Sequence, residues 1–430
     1  MKKNLVAQIF VAFVLGLIVG IAFWLAKLPI DNFVTWVSPF GHVLVAMLKM
    51  IVIPVIFLSL ITGAASVPTK EFGKIGLKVI IWYLLTSLFA AMLGSVLAGF
   101  FNPGGGSSHD AWASLMRMED ATEIVPVASN SITDIFLSMF ENPFSALANG
   151  NFLAIIVYAI TFGLALKIVF DKGNMAMRDN VQRLLGILEA AKEAIFKMVD
   201  WILAYSPIGV FALTAVNFAQ YGDSLFGPYV KLTLGVILGI IGMIVVIYPV
   251  MMAVTLRENP YKTLFKMKEP MLTAFVTRSS AAALPVSLRV SEEELFISEK
   301  VSSFSLPLGS TINMDGVCIH LPMFAVLAAN MFGVDLTFTD LTLLVVTTVL
   351  ASVGAGGVPG GSLMLLFIIL QNMGLQQGQI AVIVGLALGI NPILDMFETM
   401  NNVTGDIVCT YSVAKMHNLV GPEHITPAID

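Results

Sequence analysis

The stretch Gly309-Ser310-Thr311-Ile312-Asn313-Met314-Asp315-Gly316 places an amide and a carboxylate side chain inside an otherwise apolar region. Asn313 and Asp315 are two positions apart, whereas side chains on one helix face are three or four apart. The pattern therefore predicts a helix that unwinds here and lets both side chains converge with freed carbonyl oxygens. A hard cation such as sodium prefers several oxygen ligands with some carboxylate charge, so Asp315 is the predicted anchor. The competing interpretation is that the two residues only cap a half-helix.

The composition around this stretch is that of a membrane protein. The chain has 430 residues, of which 57% are hydrophobic and 12% charged, whereas globular domains are about 45–50% apolar. A helix needs roughly 20 apolar residues to cross a bilayer. A net charge of −5 without a basic tract argues against a nucleic-acid partner.

Candidate membrane spans before the C-terminal part are 5–26, 40–63, 76–101, 150–170, 198–219 and 229–256. The amphipathic segment 183–198 is predicted to lie along the cytoplasmic interface.

Loop charges predict how the chain is threaded through a cell (inner) membrane. Basic residues cluster in alternate connections, which the positive-inside rule assigns to the cytoplasm together with both termini. The intervening loops are mostly acidic. The cytoplasmic set is Lys2, Lys3, Lys70, Lys74, Lys78, Lys172, Arg178, Arg183, Arg257, Lys262, Lys266 and Lys268, and the outer acidic set is Asp110, Glu119, Asp120, Glu123, Asp223, Asp335 and Asp340.

From residue 257 onward the sequence contains two related segments, SSAAALPVS at 279–287 and GAGGVPGGS at 354–362. Each is a small-residue tip with a proline, followed by a long helix that polar residues interrupt. This order is typical of the inverted repeats of secondary transporters. Irregular backbone at membrane depth must be buried in protein or line a watery cavity, so the two tips are predicted to meet at a central site.

Other polar residues in apolar surroundings complete the candidate site. A stripe at helical spacing contains Asp395, Glu398, Thr399, Asn402 and Asp406, and three intramembrane carboxylates must face the protein interior. Arg278, beside the first tip, needs a carboxylate partner at that depth, for which Asp395 is the candidate. Hydroxyl groups of Tyr83, Thr86 and Ser87 share one helix face, a weak signal because such groups often bond their own backbone. His320 is interpreted as a packing residue rather than a proton carrier.

These residues resemble the dicarboxylate/amino acid:cation symporter family over essentially the whole chain. The resemblance rests on the motifs Arg278-Ser279-Ser280, Asn313-Met314-Asp315-Gly316, Gly357-Val358-Pro359-Gly360 and Asn402-Val403-Thr404-Gly405-Asp406. It implies an all-α integral membrane homotrimer whose protomers have eight transmembrane helices and two re-entrant helical hairpins, with an elevator-like transport domain moving against a scaffold. The implied divisions are scaffold helices at 1–75 and 131–219, transport-domain helices at 76–101 and 229–256, an outer loop at 102–130, the core transport domain at 257–416 and a tail at 417–430.

The same resemblance implies the ligands of each solute. One sodium ion is expected at Asp406 with backbone oxygens of Gly309, Asn313 and Asn402. A second is expected at Tyr83, Thr86, Ser87, Asn313 and Asp315, and a third at backbone oxygens of Thr311, Ser352, Val353 and Ala355. The implied substrate-binding residues are Arg278, Ser279, Ser280, Val317, Val358, Asp395, Glu398, Thr399 and Asn402. Asp395 is expected to bind the α-ammonium group, with Asn402 and the first tip on the α-carboxylate.

The substrate side chain is where this sequence departs from carriers of acidic amino acids. Glu398 stands where those carriers place an arginine, and Val317 replaces a threonine. A carboxylate at this position repels an acidic side chain. The expected substrate is therefore a small neutral polar amino acid whose hydroxyl donates to Glu398; a cationic amino acid, or an acidic amino acid or dicarboxylate, remains an alternative. Among other classes, a cation channel lined by the same carboxylates and an aspartyl protease using Asp315 and Asp395 are disfavoured.

Overall fold

The computed structural model describes residues 5–65, 73–105, 137, 139–353 and 360–422. Most of the predicted outer loop, the tip of the second hairpin and the end of the tail lie outside these ranges. Two expected ligand residues, Ala355 and Val358, are therefore outside the described residues.

The described residues form helices, and the long helices coincide with the apolar runs of the sequence. Eight of the continuous or broken helices are long and apolar enough to cross a membrane, in agreement with the expected number. The helices are α1 Leu5–Leu25, α2 Asp31–Ala65, α3 Gly73–Phe101, α4 Pro143–Asn149, α5 Phe152–Lys172, α6 Met175–Tyr221, α7 Phe226–Gly242, α8 Tyr248–Leu256, α9 Pro260–Lys266, α10 Lys268–Thr277, α11 Ser280–Arg289, α12 Glu299–Ile312, α13 Asp315–Phe332, α14 Phe338–Ser352, α15 Gly361–Asn372 and α16 Gln377–Met416.

The predicted break between α12 and α13 is confirmed. The helix ends at Ile312 and resumes at Asp315, and the two residues between them leave the helical region, with φ −97° and ψ 90° at Asn313 and φ −116° and ψ 57° at Met314. Pro307 lies within α12, and an internal proline removes one helical hydrogen bond. The break therefore exposes backbone carbonyl groups beside the polar side chains of the motif.

Each hairpin has two short helices. The turn of the first lies at Arg278 and Ser279, so most of the predicted tip 279–287 is instead helical within α11, because Ser279 caps the helix that begins at Ser280. In the first hairpin, α10 ends at Thr277 and Arg278 adopts a left-handed conformation with φ 54° before α11 begins. In the second, α14 ends at Ser352 and α15 begins after Gly360, which has φ 80°. A positive φ is uncommon for residues with a Cβ, so the turn at Arg278 is held by its surroundings.

The helices pack in two groups. Helices α1 and α2 pack against α6, and α2 also packs against α5. Helix α3 packs against α7, α13 and α14, while α16 packs against α10, α12 and α13. Sequence patterning separated segment 183–198 from the following span, but the structure has one continuous helix, α6, over Met175–Tyr221, because no residue in the join interrupts the helical hydrogen bonds.

The first part of the tail is attached to the second group of helices. The backbone N–H of Ser298 donates to the Leu419 carbonyl at 3.0 Å, and that of Gly421 donates to Phe296 at 2.9 Å. These bonds hold the chain beyond α16 against the connection that precedes α12.

Candidate functional site

A buried polar cluster forms where the α12–α13 break meets α16. The Asn313 amide donates to Asp406 Oδ1 at 2.9 Å and to the Asn402 carbonyl at 3.5 Å. The side chains of Asn313, Asp315 and Asp406 are at most 3% exposed. Buried carboxylates must be compensated by donors or cations, and within the described residues the two carboxylates meet only neutral donors and no cationic side chain. The cluster is thus suited to cations.

Helix α3 supplies hydroxyl groups to this cluster, as its weak pattern suggested. Ser87 Oγ donates to Asp315 Oδ1 at 2.8 Å, and Thr86 Oγ1 donates to Asn313 Oδ1 at 3.3 Å. The Tyr83 hydroxyl instead donates to the Ser305 carbonyl at 2.9 Å. Both threonine and serine lie at 3% exposure or less, so these α3 residues face the cluster rather than lipid.

Gly309 allows α3 and α16 to approach the end of α12. A Cβ added at Gly309 would lie 2.4 Å from the Tyr83 hydroxyl oxygen and 2.5 Å from Asp406 Oδ1. These distances are too short for a methyl group. The expected ligands Gly309, Tyr83 and Asp406 are therefore brought together by close packing.

Tyr248 is a member of this cluster that sequence reasoning missed. Its hydroxyl donates to Asp315 Oδ2 at 2.7 Å and lies 3.3 Å from the Asn401 carbonyl. Tyr248 is fully buried and begins α8, after a π-helical turn over Met243–Ile247. A single tyrosine in an apolar run carries no polar periodicity, and only the π-helical turn, which sequence does not reveal, hints at a functional position.

A second cluster lies at the hairpin tips and contains the predicted ion pair. Arg278 Nη1 is 3.7 Å from Asp395 Oδ2, as predicted, and both side chains are nearly buried. The same carboxylate oxygen accepts the backbone N–H of Gly360 at 3.2 Å. Asp395 therefore joins the first hairpin to the start of α15 after the second tip.

Asn402, on α16, holds the beginning of α13. Its Oδ1 accepts the backbone N–H of Gly316 at 2.7 Å, and its Nδ2 contacts the Met314 sulfur at 3.2 Å. A Cβ at Gly316 would lie 2.6 Å from the Cα and the carbonyl oxygen of Glu398. The glycine of the Asn-Met-Asp-Gly motif thus permits α13 and α16 to touch at the position expected to decide substrate selectivity.

Glu398 is buried at that crossing and contacts His320. One carboxylate oxygen, Oε1, is hydrogen-bonded to His320 Nδ1, and an ionised carboxylate can only accept, so Nδ1 carries the proton in that pair; Glu398 and His320 are 1% and 0% exposed. The other oxygen, Oε2, has no hydrogen-bond partner among the residues that the structure describes. The sequence interpretation of His320 as a packing residue did not include this contact.

The remaining predicted ligand residues differ in burial and in the hydrogen bonds that their side chains make. Thr399 Oγ1 donates to the Asp395 carbonyl at 2.7 Å, Thr311 Oγ1 to Pro307 at 3.3 Å and Ser352 Oγ to Val349 at 2.8 Å. These hydroxyl groups donate to carbonyl groups of their own helices, so their oxygens can serve a ligand only as acceptors or as cation ligands. Ser279 caps α11, accepting the Ala282 N–H at 3.2 Å. Ser280 and Val317 are buried, and Val353 is the C-cap residue of α14.

Comparison with known proteins identifies this arrangement. The model of the Sodium:dicarboxylate symporter family matches residues 5–416. The chain is 30% identical over 426 residues to the proton/sodium-glutamate symport protein of Bacillus subtilis, covering 98% of this chain and 94% of that one. It is 31% identical to the serine/threonine transporter SstT of Bifidobacterium adolescentis, covering 93% and 88%, and 31% identical to the proton/glutamate-aspartate symporter of Escherichia coli, covering 96% and 93%.

The family and these relatives are transporters rather than enzymes, which rules out the interpretation of the chain as an aspartyl protease. The relatives differ in the solutes that their names state, and they leave the substrate of this chain open. With a match over nearly all of its length, eight helices in the described ranges that are long and apolar enough to cross a membrane, and a broken helix at its polar centre, this chain belongs to the sodium:dicarboxylate symporter family.

Proposed function

We propose that the protein is a sodium-coupled symporter of a small neutral polar amino acid such as serine or threonine. The observation that carries the proposal is the carboxylate of Glu398, buried three residues after Asp395, with one oxygen free of partners among the described residues. An acidic side chain placed there meets repulsion. A hydroxyl group donates one hydrogen bond to the free oxygen. The similarity to a serine/threonine transporter supports this substrate class.

Sodium coupling is supported by the chemistry of the first cluster. Asp315 and Asp406 are buried near Asn313 with hydroxyl groups and unwound backbone around them. A small cation such as sodium exchanges its hydration shell for hard oxygen ligands of this kind. We assign the first sodium ion to Asp406 with Gly309, Asn313 and Asn402, and the second to Asp315 with the α3 hydroxyl groups. The third ion belongs to Thr311, Ser352, Val353 and Ala355.

Contacts of Asn402 and Asp395 give a physical reason for the coupling between sodium binding and substrate binding. Asn402 has its carbonyl oxygen near Asn313 and its side-chain oxygen on Gly316. Sodium bound beside Asn313 therefore fixes the residue that holds the substrate carboxylate. Substrate on Asp395 also stabilises the second tip through Gly360. Each solute thus raises the affinity for the other.

Helix packing supports an elevator-like cycle. The group formed by α1, α2, α5 and α6 is the proposed scaffold, and the group formed by α3 and α7–α16 is the proposed transport domain. Three protomers would join through their scaffolds in a cell (inner) membrane, with both termini in the cytoplasm. A tip that closes only over bound solutes would let the loaded domain move and hold the empty open form in place.

Uptake into proteoliposomes tests the proposal. Purified protein is reconstituted with an imposed inward sodium gradient, and uptake of serine, threonine, alanine, arginine, lysine and aspartate is compared. A parallel set replaces the sodium gradient with a proton gradient. We expect saturable serine or threonine uptake that requires sodium. Strong aspartate uptake contradicts the substrate assignment, and uptake driven by protons alone contradicts the coupling.

A further inference from the structure

The contact between His320 and Glu398 follows from how closely two helices cross. Gly316 touches the backbone of Glu398, and His320 lies four residues later, on the same face of α13. The imidazole therefore reaches the Glu398 side chain and not merely the helix surface. On its own helix, His320 stacks on Phe324, with ring centroids 4.6 Å apart and an interplanar angle of 26°. The ring is held by Phe324 on one face and by Glu398 at Nδ1, while Nε2 has no partner among the described residues.

This contact gives the two oxygens of the Glu398 carboxylate different surroundings. One oxygen accepts from His320 Nδ1, whereas Oε2 has no partner within the described part of the chain. A carboxylate with both oxygens open presents the parallel pair that a guanidinium group recognises. A carboxylate with one oxygen already bonded to an imidazole leaves one oxygen without a partner, which suits one hydroxyl group.

Within the described residues, no neighbouring charged group donates a hydrogen bond to Glu398 in place of His320. Arg278 is the nearby cation, and it is paired with Asp395 rather than with Glu398. Asp395, one helical turn before Glu398, carries a like charge and supplies no donor to it. The imidazole is thus the one donor to the Glu398 carboxylate among the residues described by the structure.

We propose that His320 is a specificity-determining positioning residue that, by occupying one oxygen of Glu398, restricts the side-chain pocket to a single neutral donor and disfavours guanidinium side chains. The inference rests on the proposed function, because it assigns Glu398 to the substrate side chain. It narrows the substrate class to amino acids with one hydroxyl group and gives a reason why a buried glutamate need not select arginine.

The test compares His320→Leu with His320→Asn. Leucine keeps apolar bulk and removes the donor, whereas asparagine places an amide N–H near the position of Nδ1. In proteoliposomes with a sodium gradient, the KM and maximal rate of serine uptake and its inhibition by arginine are measured. We expect His320→Leu to raise the KM for serine about tenfold with less change in maximal rate, and to strengthen inhibition by arginine about tenfold. We expect His320→Asn to stay within about threefold of the unmodified protein.

Two results overturn the inference: an unchanged ranking of serine over arginine in His320→Leu, or equal shifts in both variants, which would assign His320 to packing alone. Should His320→Leu not fold, the substitution is repeated in Glu398→Gln, where its effect on the ranking should disappear; a persistent effect overturns the inference. Absence of serine uptake by the unmodified protein is a separate result, which contradicts the proposed function. The ranking of arginine is then measured against whichever amino acid is transported.

Discussion

The hydroxyl group of Tyr248 donates to Asp315 Oδ2 at 2.7 Å, while Ser87 donates to the other oxygen at 2.8 Å. Two donors from different helices thus fix the plane of a carboxylate that we assign to a sodium ion. Removing a group that orients a ligand of a metal ion commonly lowers the affinity for the ion by about 10–100-fold.

Tyr248→Phe should therefore weaken sodium binding. The substitution keeps the ring in its buried position and removes the donor to Asp315. We expect the sodium concentration for half-maximal uptake to rise roughly ten- to hundredfold with the substrate ranking unchanged, since a charge-assisted hydrogen bond is worth about 1.5–3 kcal/mol. Tyr229→Phe is the matched control, because Tyr229 donates to the Leu386 carbonyl, away from Asp315. An equal response of the two variants would contradict the role of Tyr248.

Asp406→Asn should reduce the steepness of sodium dependence. The change removes one buried charge beside Asn313 and retains the shape of the side chain. With that cation site lost, we expect a lower Hill coefficient for sodium and uptake reduced at least tenfold at a fixed gradient. The control is Asp335→Asn, which changes an exposed carboxylate between α13 and α14. Sodium dependence that stays as steep as in the control would show that Asp406 binds no coupled ion.

Gly316→Ala should destabilise the protein. The added methyl group would lie 2.6 Å from backbone atoms of Glu398, and backbone cannot move aside as a flexible side chain can. Overpacking of this kind costs about 1–3 kcal/mol, and we expect a lower unfolding temperature in detergent together with loss of uptake. At Gly99, in α3, an added Cβ meets no atom within 4 Å. Gly99→Ala should unfold at or slightly above the original temperature, and a similar loss in both variants would refute the close contact.

Glu398→Arg should shift the ranking of substrates toward acidic amino acids. It reverses the charge at the buried position and supplies two parallel donors to a side-chain carboxylate. We expect aspartate to compete with serine at least tenfold more strongly, measured by inhibition of uptake in proteoliposomes. The exposed Glu293→Arg substitution controls for total charge. A folded Glu398→Arg variant with the original ranking would remove Glu398 from the side-chain pocket.

Much of the fold could be predicted because the bilayer imposes strict rules on sequence. Apolar runs long enough to cross it correspond to the helices that the structure shows, and the break at Asn313 follows from polar residues at non-helical spacing. The pairing of Arg278 with Asp395 was also predictable, since a buried guanidinium group requires a carboxylate. Both inferences depend on local chemistry and on the high cost of unpaired polar groups in lipid.

Other features depended on how distant helices meet. Tyr248 and His320 each stand alone in apolar sequence, and their partners, Asp315 and Glu398, come from other helices or turns. The reason is geometric: a hydrogen bond needs two atoms within about 3 Å, and sequence periodicity fixes only the face of a helix, not its neighbour or crossing point. The sequence by itself determined a membrane-spanning chain with a broken polar centre. Only the tertiary structure decided which oxygen of each buried carboxylate is occupied and which is left open.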